Sequence, residues 1–377
     1  MEQLTDTASV FYIGGAMFWD TSAGEEYNAF QGEFVVKHLL EVTQNTSFRE
    51  MVESNFDGCT TRWSFTNDTR TAQEMYNTDK FYTHDGKLAS RYMLHDGVVL
   101  NADYATIDTV SNADACWNKP DVKCPVMTMA AWYGGVGLTC TIDGMHNVTV
   151  QMLQARDSLV GTTYRKFDID GNAGQGYYYY GVHATDDYIF KDGAGGSYAV
   201  GLENGIVASA WCTQFDSVFE DGPYNEFPEW VKNQTTNINQ CLDQYDCDAF
   251  ESAYRNACSD PMGAAYIKVS NDSHSKVLIT NNKTDTTGKF AFTMSTYHDI
   301  ASVSKAATAL LANRYNIINN SPLQSTGIGE WCEEHQWCKD TTVEKLLSHK
   351  AGFLFDGAFD VWFEHVWSAT LYNDTSP

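Results

Sequence analysis

Between residues 10 and 42 apolar side chains return at helical spacing, and Phe30, Phe34, Val35, His38 and Leu39 fall on one stripe. That pattern predicts an amphipathic helix with one face turned to a core. Further along, short apolar or aromatic runs alternate with Asp-Gly pairs at 57, 85, 96, 143, 170, 192 and 221. Asp-Gly suits the tight turns that join antiparallel strands. Residues 175–183 (Gln-Gly-Tyr-Tyr-Tyr-Tyr-Gly-Val-His) and 197–202 (Ser-Tyr-Ala-Val-Gly-Leu) read as strands framed by such turns. The pairs are irregularly spaced, so no internal repeat is predicted. Segment 1–222 is expected to be a mixed α/antiparallel-β unit.

The pattern changes after residue 222. Residues 223–260 are polar, carry three cysteines and hold short helical pieces at 229–232 and 247–254, as a junction between units would. Residues 264–270 and 276–280 then read as paired strands, with Asn271, Asp272 and Ser273 as turn residues between them. Residues 306–312 (Ala-Ala-Thr-Ala-Leu-Leu-Ala) are small and apolar, the composition a buried central helix requires. The fold class is α+β, divided as 1–222, the junction 223–260, and 261–377.

Immediately before that helix stands Ser302-Val303-Ser304-Lys305. A serine hydroxyl is a poor nucleophile near neutral pH and needs an adjacent base. Positions i and i+3 share a helix face, so Lys305 can hold its amine beside the Ser302 oxygen. The start of the helix adds N–H donors and partial positive charge where an oxyanion would develop. S-x-x-K alone is a weak signal, because a helix N-cap serine followed by a solvated lysine has the same letters. A second stretch, Leu346-Leu347-Ser348-His349-Lys350-Ala351-Gly352-Phe353, follows one helix and loop later and raises the weight of the first.

Together these stretches resemble the serine β-lactamase-related family, the group of class C β-lactamases, DD-peptidases and esterases. In that family a strand pair precedes an ASVSK-type helix, and an LLTHTSGL-like element follows. LLSHKAGF differs from that element by carrying Lys350 and Ala351 for Thr and Ser. The resemblance covers residues 262–377 and implies a β-lactamase/transpeptidase-like domain that starts with the strand pair and the S-x-x-K helix. It implies Ser302 as the acylated nucleophile and Lys305 as its general base, with Ser304 out of register and His349 structural. A family member also needs a Y-x-N element and a K-T-G or H-x-G strand, both expected beyond the serine. Tyr372-Asn373-Asp374 comes too early and has Asp where Asn belongs. The domain is therefore expected to be truncated at its C-terminal side, with little or no turnover in the chain as it stands.

Charge and cysteines narrow the class. The net charge of −25 argues against nucleic acid or anionic lipid as partner, since both need basic surface. Ten cysteines and eight N-x-S/T sequons (Asn45, Asn67, Asn147, Asn233, Asn271, Asn282, Asn319, Asn373) point to the secretory pathway or the extracellular space. No signal peptide is visible after Met1, so the natural start is expected upstream. The pairs Cys116/Cys124, Cys241/Cys247 and Cys332/Cys338 are close enough in sequence for local loop staples, although spacing alone leaves connectivity open. No cysteine or histidine spacing suits zinc, and Asp168-Ile169-Asp170-Gly171-Asn172 reads as a hairpin turn, because Ala173 and Tyr179 stand where an EF-hand needs Gly and Glu. No membrane span, cofactor or metal is implied. The expected partner is an ester- or amide-type substrate. The alternative is a non-catalytic extracellular binding or sensor protein with a relic hydrolase segment, its helix-then-hairpin start being similar to Cache-type sensor domains.

Overall fold

The computed structural model describes residues 31–61, 81–82, 88–89, 138–169, 174–193, 197–212, 226–258, 265–280, 293–295, 298–318, 321–329, 339 and 341–351. Helix α1 (Gln31–Gln44) is followed by α2 (Phe48–Asn55). Ser47 opens α2 with a reciprocal capping box: its side chain accepts from the Glu50 N–H, and the Glu50 carboxylate accepts from the Ser47 N–H. Short strands β1 (Cys59–Thr61), β2 (Phe81–Tyr82), β3 (Leu88–Ala89) and β4 (Leu138–Cys140) come next. Helix α3 (Ile142–Gln154), capped by Thr141, and the single turn α4 (Arg156–Leu159) lead into the main sheet.

That sheet is antiparallel throughout. It contains β5 (Arg165–Ile169), β6 (Gly174–Tyr178), β7 (His183–Ala184), β8 (Tyr188–Gly193), β9 (Ser197–Leu202), β10 (Val207–Trp211), β11 (Ala265–Ser270) and β12 (Ser275–Thr280). Its order is β12-β11-β10-β9-β8-β7-β6-β5, so every neighbour in sequence is a neighbour in space. Segments 1–222 and 261–377, separated in the sequence reading, thus share one sheet: β10 pairs with β11 from Val207↔Ser270 to Trp211↔Tyr266. Between them, α5 (Glu226–Asn233), α6 (Thr235–Gln244) and α7 (Asp248–Ala257) do not form a spacer. They cover one face of the sheet.

Both faces of β8–β11 are buried, and the period of two along these strands divides their residues between two cores. Tyr188, Phe190, Tyr198, Val200, Ala208, Ala210, Ile267 and Val269 meet Phe227, Val231, Ile238, Leu242, Phe250 and Tyr254 of α5–α7. Their alternates Ile189, Ala199, Trp211 and Tyr266 meet α1, α2, α3 and helix α8 (Val303–Arg314). A smaller sheet, β1-β4-β13 with β13 at His298–Asp299, lies directly before α8. After α8 a 3-10 turn (Leu323–Ser325) and α9 (Val343–Leu347) complete the described chain.

Several sequence expectations meet this geometry. Strands expected at 264–270, 276–280 and 197–202 form as β11, β12 and β9. The tyrosine run 175–183 is two strands, because Gly181 takes φ +71° and turns the chain between β6 and β7. Asp143-Gly144 opens α3 and Asp192-Gly193 ends β8, so neither is a hairpin turn; pairs 85, 96, 170 and 221 lie outside the described residues. β5 and β6 pair through Ile169↔Gly174, as the hairpin reading of 168–172 requires.

Among the described residues three disulfides close: Cys59–Cys140, Cys212–Cys258 and Cys241–Cys247. The last is one of the expected local staples. The other two are long-range. Cys116/Cys124 and Cys332/Cys338 lie outside the described residues. Among the described residues no helix is long and apolar enough to cross a membrane, and no group of His, Cys, Asp and Glu could hold a metal ion.

Candidate active site

Residues 303–312 of α8 are buried on every side, so the helix runs through the interior rather than along the surface. Ser302 stands at its N-cap with backbone angles φ −67° and ψ −7°, and its side chain makes no capping bond. The capping alternative for this serine therefore fails. Lys305 Nζ instead donates to Ser302 Oγ at 3.1 Å. The serine is half-buried, while the lysine is fully removed from solvent. Ala301, just before the serine, holds φ +44°, a left-handed conformation that costs a non-glycine residue about 1 kcal/mol or more. Ser304 is tied elsewhere: its Oγ accepts the Leu138 N–H of β4 at 3.2 Å in a buried position.

Strand β8 runs past the same helix end. A Cβ placed on Gly193 would lie 2.6 Å from the Ile300 carbonyl oxygen and 3.1 Å from the Ser302 nitrogen. Lys191, two positions back on the same strand face, is fully buried apart from a trace, and its Nζ donates to Asp192 Oδ1 at 2.8 Å. Burial pushes the Asp192 carboxyl up, but the Lys191 and His183 charges and the Lys191 hydrogen bond outweigh it and leave the group below the usual carboxylate range. Lys191-Asp192-Gly193 is thus a K-x-G triplet on a strand that lines Ser302. Sequence reading missed it, having sought such a strand only after the serine. The letters K-D-G next to the run Tyr188-Ile189-Phe190 were the available signal.

The lysine end of the site is closed by α1, α9 and the β6–β7 turn. A Cβ on Gly32 would be 2.6 Å from the Leu346 carbonyl oxygen, so α1 lies tightly on α9. Gly181 approaches α8 as closely, with its Cβ position 2.6 Å from the Lys305 carbonyl oxygen, and its N–H donates to Leu347 O at 3.0 Å. Within this corner Glu33 is wholly buried, and Oε1 lies 3.6 Å from His349 Nε2. Burial pushes the Glu33 carboxyl up to about 7, against the pull of the Lys305 and Lys191 charges. His349 takes φ +56°, is 1 % exposed and packs, tilted, against Tyr178 at 4.6 Å between ring centres, and the Tyr178 ring also meets His183 at 4.8 Å. The structure therefore brings Ser302, Lys305 and His349 into one corner of the molecule and adds Lys191, Glu33 and Tyr178. Tyr372-Asn373-Asp374 lies outside the described residues.

Comparison with known proteins gives no matching family model, no matching curated protein and no matching solved structure. The site must be judged on its own chemistry.

A second serine–histidine cluster shows what a purely structural arrangement looks like here. His146 Nδ1 lies 3.0 Å from Ser209 Oγ and Nε2 lies 2.8 Å from Ser270 Oγ, with Thr149 Oγ1 at 2.7 Å from Ser209. Burial, helped by the Lys268 charge, pulls the His146 ring down to about 3. Ser209 is completely buried, and both ring nitrogens are occupied, so this network joins α3 to the sheet. Ser302 differs in having partial exposure and an amine as its partner.

The close approach of β8 to α8 makes a prediction. Gly193→Ala forces a methyl group against backbone atoms that cannot rotate away, and is expected to cost about 1–3 kcal/mol. Chemical denaturation measures that loss, and it should be accompanied by displacement of the α8 start from the strand.

Proposed function

We propose that the chain is a serine hydrolase that forms an acyl-enzyme on Ser302, with Lys305 as general base. The observation that carries this reading is the 3.1 Å contact between Lys305 Nζ and the oxygen of a serine that leaves its helix uncapped. Ser302 Oγ attacks the carbonyl carbon of an ester or amide, and its proton passes to the Lys305 amine. The carbonyl–heteroatom bond then breaks, and the proton moves from the amine to the leaving group. Water subsequently releases the acyl group by the reverse route. Lys191, on the strand beside the serine, supplies positive charge near the place where negative charge builds up on the carbonyl oxygen, and so does the start of α8. The disulfides accord with an oxidising compartment.

Treatment of the full chain with a fluorophosphonate tests the reading. Covalent labelling is expected on wild type and should vanish in Ser302→Ala, with Ser304→Ala still labelled. Labelling that persists in Ser302→Ala, or wild type that never labels, would sink it.

A further inference from the structure

We propose that Asn45 and Asn233 carry N-linked oligosaccharides, and that Asn147, which has the same three-residue signal, stays bare in the folded chain. The inference goes beyond the hydrolase reading and stands without it. Of the N-x-S/T sequons, those at Asn45, Asn147, Asn233 and Asn271 lie within the described residues. The signal is read while the chain is extended, so it marks all four alike. The finished fold separates them, because a bulky, hydrated sugar has to stand in water once the core has closed.

Asn45 is exposed in the turn between α1 and α2. Its φ of +49° is left-handed, a conformation that Asn tolerates better than most side chains. Asn233 is exposed at the last position of α5, with Gln234 separating it from α6. Among the described residues neither side-chain amide is engaged in a hydrogen bond. The two turns belong to opposite helical layers, since α1 and α2 pack on one face of the main sheet and α5–α7 on the other.

Asn147 is placed differently. It is half-buried inside α3, and Met145, His146, Val148 and Thr149 around it are all buried. Its Oδ1 accepts from Gln151 Nε2 at 3.0 Å, and the same Nε2 donates to the Asn55 carbonyl oxygen at the end of α2. Thr149 Oγ1, the third member of the signal, donates to the Met145 carbonyl oxygen at 2.9 Å and lies 2.7 Å from Ser209 Oγ in the interior. A sugar on Asn147 would intrude on the contact that joins α3 to α2. Asn271 also has structural duties. Its Oδ1 accepts the Ser273 and His274 N–H groups of the β11–β12 turn, and its Nδ2 donates to Asp243 Oδ1 at 3.1 Å.

The co-reactant is a polyprenyl-diphosphate-linked oligosaccharide, delivered by an oligosaccharyltransferase. Asn Nδ2 bonds to the anomeric carbon of the first sugar as the bond from that carbon to the diphosphate oxygen breaks. Nδ2 gives one of its two protons to a base of the transferase, and the polyprenyl diphosphate departs with the electron pair. The chain meets this donor in the oxidising compartment that its disulfides suit.

The experiment directs the full chain into the secretory pathway of eukaryotic cells with a signal peptide. It is read on the fraction in which Cys59–Cys140 is closed, whether secreted or retained. Peptide-N-glycosidase in heavy-oxygen water converts each substituted Asn to labelled Asp, and peptide mass spectrometry then reads each sequon separately. Label is expected at Asn45 and Asn233 in most molecules, with Asn147 recovered as unlabelled Asn. Absence of label at Asn45 or at Asn233, or label at Asn147 in most molecules, overturns the proposal. Gel mobility gives a second measurement. Asn45→Gln and Asn233→Gln should each remove one glycan step, and Asn147→Gln should remove none. A step lost in Asn147→Gln overturns the assignment of that residue as bare.

Discussion

Lys305→Met is expected to slow labelling of Ser302 at least about a hundredfold while leaving the fold intact. Each half of that result follows from the position of the side chain. The amine is the group beside Ser302 Oγ, and general-base assistance is worth about 10²–10⁴-fold when it is lost. Against that, a lysine with no solvent exposure brings a large desolvation cost to the native state. Methionine has similar length and no charge, so it fills the same space without an ammonium to desolvate. A structural lysine would behave in the opposite way, with stability falling and labelling following it down. Denaturant midpoint and labelling rate, measured on the same preparation, separate the two. A loss of rate that merely tracks a loss of stability would remove Lys305 from the chemistry.

The separation matters because the local pattern around Ser302 was legible while its surroundings were not. S-x-x-K ahead of a small-apolar run announced α8 and the Ser302–Lys305 pair, since both lie within one helical turn. Strands 264–270 and 276–280 were legible for the same reason, being one hairpin. The partners that complete the corner come from far along the chain. Gly193 lies beside Ser302 through sheet order, and Glu33 lies beside α8 through helix packing. No local period encodes either contact. The one-sided stripe read on 10–42 also underestimated α1. Val35, His38 and Leu39 of that stripe are buried, but Val36, Leu40, Glu33 and Lys37 are buried with them, while Phe30 and the Phe34 side chain lie outside what the structure describes. A helix enclosed on almost every side admits polar residues only where another element supplies their partners, and amphipathicity does not report that.

The same distinction explains how the segments flanking 223–260 come to share a sheet. That stretch is polar and rich in cysteine, the composition of a junction, yet Phe227, Val231, Ile238, Leu242, Phe250 and Tyr254 form a buried face against β8–β11. Cys212–Cys258 then fastens the end of β10 to the end of α7, just before β11 begins. The apolar positions were visible in sequence. Their target, a sheet face built from both sides of the junction, was not.

Removing the Cys59–Cys140 disulfide should give the largest loss of stability of any pair in the described chain. The two cysteines are 81 positions apart, and closing a loop of that length restricts the unfolded chain by about 4 kcal/mol in the loop-entropy account. Both are buried and face each other across β1 and β4 in register, so the bond restrains the unfolded state without needing to hold two mobile surfaces together. Cys241–Cys247 closes only 6 positions and should contribute about 2 kcal/mol. The comparison therefore has a sign and a size: Cys59→Ala/Cys140→Ala is expected to lose about twice as much as Cys241→Ala/Cys247→Ala. It should also slow labelling. β4 carries the Leu138 N–H that fixes Ser304, and the Leu138 carbonyl accepts the Ile300 N–H at 3.1 Å, so the strand sets where α8 begins. Urea denaturation of both double variants, alongside the fluorophosphonate rate, measures the two effects together. Equal losses from the long and short loops would refute the loop-length argument. Normal labelling in the first variant would show that the start of α8 is held without β4.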